Sequence, residues 1–386
     1  MTISSTHKYE SLKEAAEESR AWLLGPVAPL WVVQKCGDGF LFPEQISAGG
    51  NRDNCPHRLR VQARHIYSYC MLGRLGWQGP WEEMVRGSAE FLLRRGRRSD
   101  GLYVHYFDAD GKVLDSRADL YDQAFVLLAL AHAGSLAGGE HFIAAAEALD
   151  ATLESRWRLS GGNYFEGEVV TCPPCRQNPH MHLLESFIAL EKVTGAARWR
   201  RKAEHLANLC VRYFIDASTG VLTEYFNTNL NPAAGDEGRI VEPGHCFEWA
   251  WLFEKLALLG KAGAGEISDG LTDFARRYGI DRSRGVAINE LLVDGTVRSA
   301  HARLWPQTER LKAALARLCR TGHDEERQEA LDAYAGLTKY FNVPLHGTWR
   351  DKLMADGSWV DEPAPGSSLY HIVCALAELS HTATLL

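Results

Sequence analysis

Two histidines stand where helical periodicity begins: His245 in the stretch VEPGHCFEWAWLF (residues 241–253) and His371 in SSLYHI. An imidazole titrates near neutrality, so it can both take and return a proton under physiological conditions. Glu248 follows His245 by three residues, on the same helical face, which suits a local hydrogen bond or a carboxylate that tunes the ring. Four further stretches share this character: HRLRVQARHIYSY with Arg64, ADLYDQAF with Asp122, NPHMH with His180 and His182, and LWPQTERL with Trp305, Gln307 and Glu309.

Each stretch also has a plain structural reading. Arg64 suits a structural ion pair, His180 a cap and His182 a satisfied core ring. The two histidines of NPHMH are two residues apart and point different ways, so they do not chelate one metal. Trp305, Gln307 and Glu309 suit packing around Pro306, a residue favoured in a first helical turn. Together, however, the six stretches place ionisable, amide and aromatic groups at six helix starts. Aromatic faces with hydrogen-bonding edges match a sugar ring, which has apolar faces and a rim of hydroxyls. A phosphate loop, a dinucleotide fingerprint, a Gly-x-Ser-x-Gly elbow and a His-Glu-x-x-His zinc motif are all missing.

The elements that must position these groups follow from apolar periodicity. It predicts twelve helices, over about 7–24, 58–75, 80–95, 118–134, 139–157, 180–194, 197–214, 245–260, 264–278, 306–321, 324–341 and 367–382. Short links such as GWQGP, GSLAGG, TGAA, GKAGAG and TGHD alternate with six long connections. YFDADGKVLD, ELLVDGTVRS and KLMADGSWVD within those connections carry hairpin signals. This alternation is what paired inner and outer helices need, and it predicts an all-α (α/α)6 barrel with short hairpins at one end. An open solenoid is less favoured, because no repeat of fixed length and motif occurs. Without a linker or composition shift, residues 1–386 are expected to form a single domain.

Composition narrows the partners. The chain has 386 residues, 24% charged, with a net charge of −7, and its basic clusters RRGRR and RWRRK are short. Nucleic acid is therefore not an expected partner. No stretch approaches the roughly 20 apolar residues of a membrane span, and the polar, acidic start does not read as a signal peptide. Nine scattered cysteines suit reduced thiols and a cytoplasmic location, and CPPC at 172–175 reads as a loop with two thiols. The sequence does not fix the oligomeric state, and a homo-oligomer is allowed.

QNPHMHLLESFIALEKVTG, VEPGHCFEWAWLF, RLWPQTERLKA and SSLYHI, in this order from about Arg58 to Leu376, resemble the N-acylglucosamine 2-epimerase superfamily, and within it the aldose–ketose isomerases acting on mannose. The resemblance implies an (α/α)6 barrel and catalytic roles for His245 and His371. It implies substrate-holding roles for Arg64, Asn178, His182, Glu248 and Asp361, and further for Arg239, Trp305, Gln307 and Glu309. It implies a monosaccharide substrate, D-mannose going to D-fructose (with D-lyxose to D-xylulose beside it), and no metal or other cofactor. Moving a carbonyl from C1 to C2 means taking the C2 proton and returning it at C1 through a cis-enediol, work suited to imidazole. A 2-epimerase would share the first step. A glycoside hydrolase using Asp122 and Glu248, or a sugar-binding protein without catalysis, are alternatives of other classes; the first leaves the histidine pair unexplained.

Overall fold

Apolar periodicity becomes helix almost wherever it occurs. The computed structural model describes residues 11–36, 39–52, 55–170 and 175–386. Among these, twelve helices have eleven residues or more: α1 (Leu12–Trp22), α2 (Leu59–Arg74), α3 (Trp81–Phe91), α4 (Leu120–Gly134), α5 (Glu140–Arg156), α6 (Asn178–Thr194), α7 (Ala197–Leu209), α8 (Pro243–Leu258), α9 (Ala264–Tyr278), α10 (Leu304–Thr321), α11 (Asp324–Thr338) and α12 (Ser367–Leu385). Each overlaps one of the twelve expected segments. Three start two residues early: α6, α8 and α10 begin at Asn178, Pro243 and Leu304.

Even- and odd-numbered helices differ in burial. Thirteen of the sixteen residues of α8 are buried, and α4 is covered almost all round. A helix that is apolar on every side belongs inside a protein. By contrast, only five of the seventeen residues of α5 are buried, so it covers one face of its neighbours and leaves the other in solvent. Each wholly buried Trp, such as Trp199 or Trp249, contributes about 1.5–3 kcal/mol or more of burial free energy.

Two compact units divide the chain. One comprises residues of Met1–Val27, Val241–Ala364 and His371–Leu386, the other Ala28–Ile240 and Pro365–Tyr370. In the first, α8 packs on α9 and α10, α10 on α11, and α1 on α11. In the second, α4 lies against α2 and α6, and α3, α5 and α7 pack on α2, α4 and α6 respectively. The same rule holds in each: a buried helix neighbours other buried helices, and a half-exposed helix backs it.

The expected hairpins are present. Tyr106–Phe107 pairs antiparallel with Val113–Asp115, and Glu290–Leu292 with Val297–Ser299. Leu353 bridges Trp359 in the third. In the first turn Asp108 accepts from the backbone N–H groups of Asp110 and Lys112, and Gly111 takes φ +77°. Of CPPC, Cys172 lies outside the described residues, while Cys175–Arg176 pairs with Tyr225–Phe226.

Candidate active site

In the unit containing α8 and α10, the two histidines come together around one indole. α8 starts at Pro243, whose missing N–H costs nothing in the first turn. That puts His245 at its third position, 6% exposed, so the VEPGHC stretch is a helix start presenting an imidazole. Trp249 packs behind it on Phe253, with ring centroids 5.8 Å apart. Trp305, second in α10, lies with its ring 4.8 Å from that of His245 and 5.8 Å from that of His371. Close approach here needs Gly244: a Cβ on it would fall 2.5 Å from the Trp305 indole.

Both histidines have carboxylates within reach. His371 Nδ1 is 2.8 Å from Glu309 Oε1, and His245 Nδ1 is 3.8 Å from Glu242 Oε2. Glu309 has no solvent exposure, and its other oxygen is 2.6 Å from Lys312 Nζ, itself wholly buried. Glu248, 1% exposed, joins this group: one atom each of Glu248, Glu309 and His371 lies within 4.8 Å of the others. Those three side chains have the donor types to hold a divalent cation. Lys312 already supplies positive charge to Glu309, which neutralises part of what would attract one.

The other unit holds a guanidinium in an aromatic cage. Arg64, 5% exposed, donates from Nη2 to the Tyr121 hydroxyl at 2.6 Å and from Nη1 to the Ser367 carbonyl at 3.4 Å. Its guanidinium sits 4.1 Å from the Phe125 ring centroid, 5.3 Å from Tyr370 and 5.4 Å from Tyr121. His182 closes the same group, its ring 4.5 Å from Phe125 and 5.1 Å from Tyr121. Its Nδ1 is 3.1 Å from Glu185 Oε2, and the Tyr370 hydroxyl donates to Glu185 Oε1. His180 points elsewhere: its Nε2 accepts from the Tyr164 N–H at 3.0 Å, its Nδ1 faces the Arg176 carbonyl, and burial lowers its pKa to about 4. It is a neutral structural ring, as its spacing from His182 suggests.

Other expected site residues are placed differently. Gln307 uses its amide on backbone, accepting from Ala287 N at 2.7 Å and donating to the Ala287 and Arg303 carbonyls at 2.8 Å. It clamps the strand Val286–Ala287 to the start of α10. Asp361 is exposed, and Arg239 is 44% exposed, 3.5 Å from Asp236. Asn178 is the first residue of α6, half-buried, with an inward amide oxygen. Asp122, one carboxylate of the hydrolase alternative, is wholly buried between Arg60 and His105, which leaves it no approach to a glycosidic oxygen. Sequence reasoning passed over Tyr121, Tyr370, Glu185, Glu242 and Lys312. The two tyrosines were detectable, since both stand beside ionisable residues at the helix starts already singled out.

The model of the N-acylglucosamine 2-epimerase (GlcNAc 2-epimerase) family matches residues 40–375, running through both units. A protein of Rhizobium meliloti (strain 1021) named mannose-6-phosphate isomerase is 40% identical over 375 residues, 94% of this chain and 96% of that one. A D-mannose isomerase of Thermobifida fusca is 27% identical over 302 residues, 72% of each. The solved structure of cellobiose 2-epimerase from Spirochaeta thermophila DSM 6192 matches with a TM-score of 0.86 at 22% identity, covering 99% of both chains. That likeness shows the fold, the (α/α)6 barrel expected from the alternating links. The chain belongs to the N-acylglucosamine 2-epimerase family, as a sugar isomerase or epimerase.

Proposed function

We propose that the protein interconverts free D-mannose and D-fructose, with D-lyxose and D-xylulose as a second pair, by proton transfer through a cis-enediol. The observation carrying this reading is the pair of buried imidazoles against one indole, each with a carboxylate at its Nδ1 side. A carboxylate at Nδ1 orients the ring and favours the tautomer whose Nε2 is open to act as base. One imidazole takes the proton from C2 of the open-chain aldose, and the same or the other returns it at C1, while two rings also allow ring opening to be separated from enolisation. A flat apolar surface for the sugar falls to Trp305, against both imidazoles, and Arg64 keeps the role of a substrate-holding cation. No metal enters the scheme.

Charge supports an unphosphorylated sugar, although the 40%-identical relative is named for the phosphorylated one. In the histidine unit Glu242 lies beside His245, Glu248 and Glu309 lie beside His371, and Lys312 pairs with Glu309. In the other unit Arg60 is engaged by Asp122 and Arg176 by Glu166, while the Arg64 guanidinium lies against aromatic rings. A phosphate dianion brought to the two imidazoles would meet the carboxylates of Glu242, Glu248 and Glu309, of which Lys312 offsets one. Among the described residues no helix is long and apolar enough to cross a membrane. The seven described cysteines form no disulfide, which supports a cytoplasmic setting.

The test is to incubate the protein with D-mannose in D₂O and follow products by NMR, with mannose 6-phosphate in parallel. Fructose labelled at C1 from free mannose is the expected product. Glucose deuterated at C2 as the main early product would replace isomerisation with 2-epimerisation, and conversion confined to the phosphate ester would overturn the charge argument.

A further inference from the structure

Lys312 is a cation with no solvent exposure, one helical turn beyond Glu309 on α10. Its Nζ lies 2.6 Å from Glu309 Oε2 and 3.9 Å from the centroid of the Trp251 ring. A buried ammonium is costly unless it is paired, and this one is paired with the carboxylate that holds His371. Three helices bring charged or titratable groups to this spot. α8 contributes Glu248 and also Lys255, whose Nζ is 2.8 Å from Glu378; α10 contributes Glu309 and Lys312; α12 contributes His371.

We propose that Lys312 is a positioning residue that keeps Glu309 ionised, and so holds His371 with its proton on Nδ1 and its Nε2 lone pair available for proton transfer; the role rests on the reading of His371 as catalytic. Two buried carboxylates as near as Glu248 and Glu309 do not both stay ionised without a counter-charge. The ammonium supplies it, and the face of Trp251 holds the ammonium in place. If it is removed, Glu309 takes up a proton. Its carboxyl group then donates to Nδ1 of His371, the ring proton moves to Nε2, and that nitrogen no longer acts as a base. A lysine needed only to balance charge during folding would leave the tautomer of His371 alone.

The experiment compares full-length wild type with Lys312→Met, both carrying ¹⁵N-labelled histidine. The expected result is a folded variant whose kcat on mannose falls by at least about tenfold with KM nearly unchanged. The ¹⁵N shifts of His371, assigned by their loss in His371→Ala, move from the Nδ1–H pattern to the Nε2–H pattern. A folded variant that keeps kcat within about twofold, or keeps the Nδ1–H pattern, overturns the proposal. If Lys312→Met fails to fold, Glu309→Gln is compared with Glu309→Gln/Lys312→Met, in which the buried ion pair is neutral on both sides. Equal kcat in these two supports action through Glu309; a further loss of about tenfold overturns it. Activity surviving in His371→Ala would instead remove the catalytic reading of that ring, while the ¹⁵N comparison still judges what Lys312 does to it.

Discussion

Glu309 Oε1 and His371 Nδ1 meet at 2.8 Å, one group wholly buried and the other nearly so. The contact fixes which nitrogen of His371 faces away from the carboxylate. If both imidazoles move protons, His245→Ala and His371→Ala each lower turnover of mannose by at least about two orders of magnitude. Their far-ultraviolet circular dichroism stays that of the wild type, since the helices that carry the two rings are held by their many apolar residues. Near-normal turnover in either variant would falsify the assignment.

Arg64 offers a second test, because its charge and its shape can be separated. Arg64→Lys keeps the cation but loses the planar contact with Phe125 and the hydrogen bond to Tyr121. The expected outcome is a fall in kcat/KM of about tenfold or more, with a small drop in melting temperature. A large drop in melting temperature with kcat/KM unchanged would make Arg64 a structural residue.

Dialysis against EDTA is expected to leave activity unchanged. Glu248, Glu309 and His371 could ligate a cation, but Lys312 sits on Glu309. Loss of activity on chelation, recovered with manganese or cobalt, is the result that would overturn this.

Asp119 gives a prediction in pH. Burial, reinforced by the nearby charge of Asp122, pushes its carboxyl pKa up to about 6, against roughly 3.9 in an unfolded chain. Between those values the folded state keeps a proton that the unfolded state has released, so this group's contribution to stability falls as pH rises from about 4 to 6. Arg176 and His105 offset part of the cost. Asp119→Asn, which can still accept from the Tyr121 N–H, should raise the melting temperature near pH 8 and leave it unchanged near pH 4. An equal shift at both would show that the carboxyl does not titrate as described.

Gly244→Ala tests the packing beneath the indole. The new methyl would sit 2.5 Å from Trp305 and 3.1 Å from Pro306 Cβ, so the ring must shift. Overpacking of this kind typically costs about 1–3 kcal/mol. Calorimetry should register that loss, and kcat should fall with it because both histidines touch the displaced ring. Unchanged kcat would mean that the indole does not set their positions.

Much of this was legible in the sequence, for reasons particular residues make plain. Apolar periodicity located all twelve helices, and Asp-Gly turns located the hairpins, because both signals are local. Periodicity puts three helix starts two residues late, at α6, α8 and α10, where Pro179, Pro243 and Pro306 in the first turn interrupt the pattern although proline fits a first turn. Gln307 looks like a substrate-binding amide in sequence, yet its partner is the backbone of Ala287, twenty residues away. Lys312 looks like any lysine on a helix surface, three residues after a glutamate. Only packing shows that this face of α10 has no surface. Tyr370 and His371 are neighbours in sequence, but their contacts run to different groups: Tyr370 to Glu185 and Tyr67, His371 to Glu309 and Trp305.

The indole shared by His245 and His371 also limits how such a protein can change over generations. A substitution that tilts Trp305 reaches both imidazoles in one step, so neither can be retuned while the other stays as it was. Lineages drifting from one sugar outcome to another would therefore be expected to change positions 244 and 305 together, or to leave both alone. Their variation should be correlated even where every other contact of the two histidines is free to diverge.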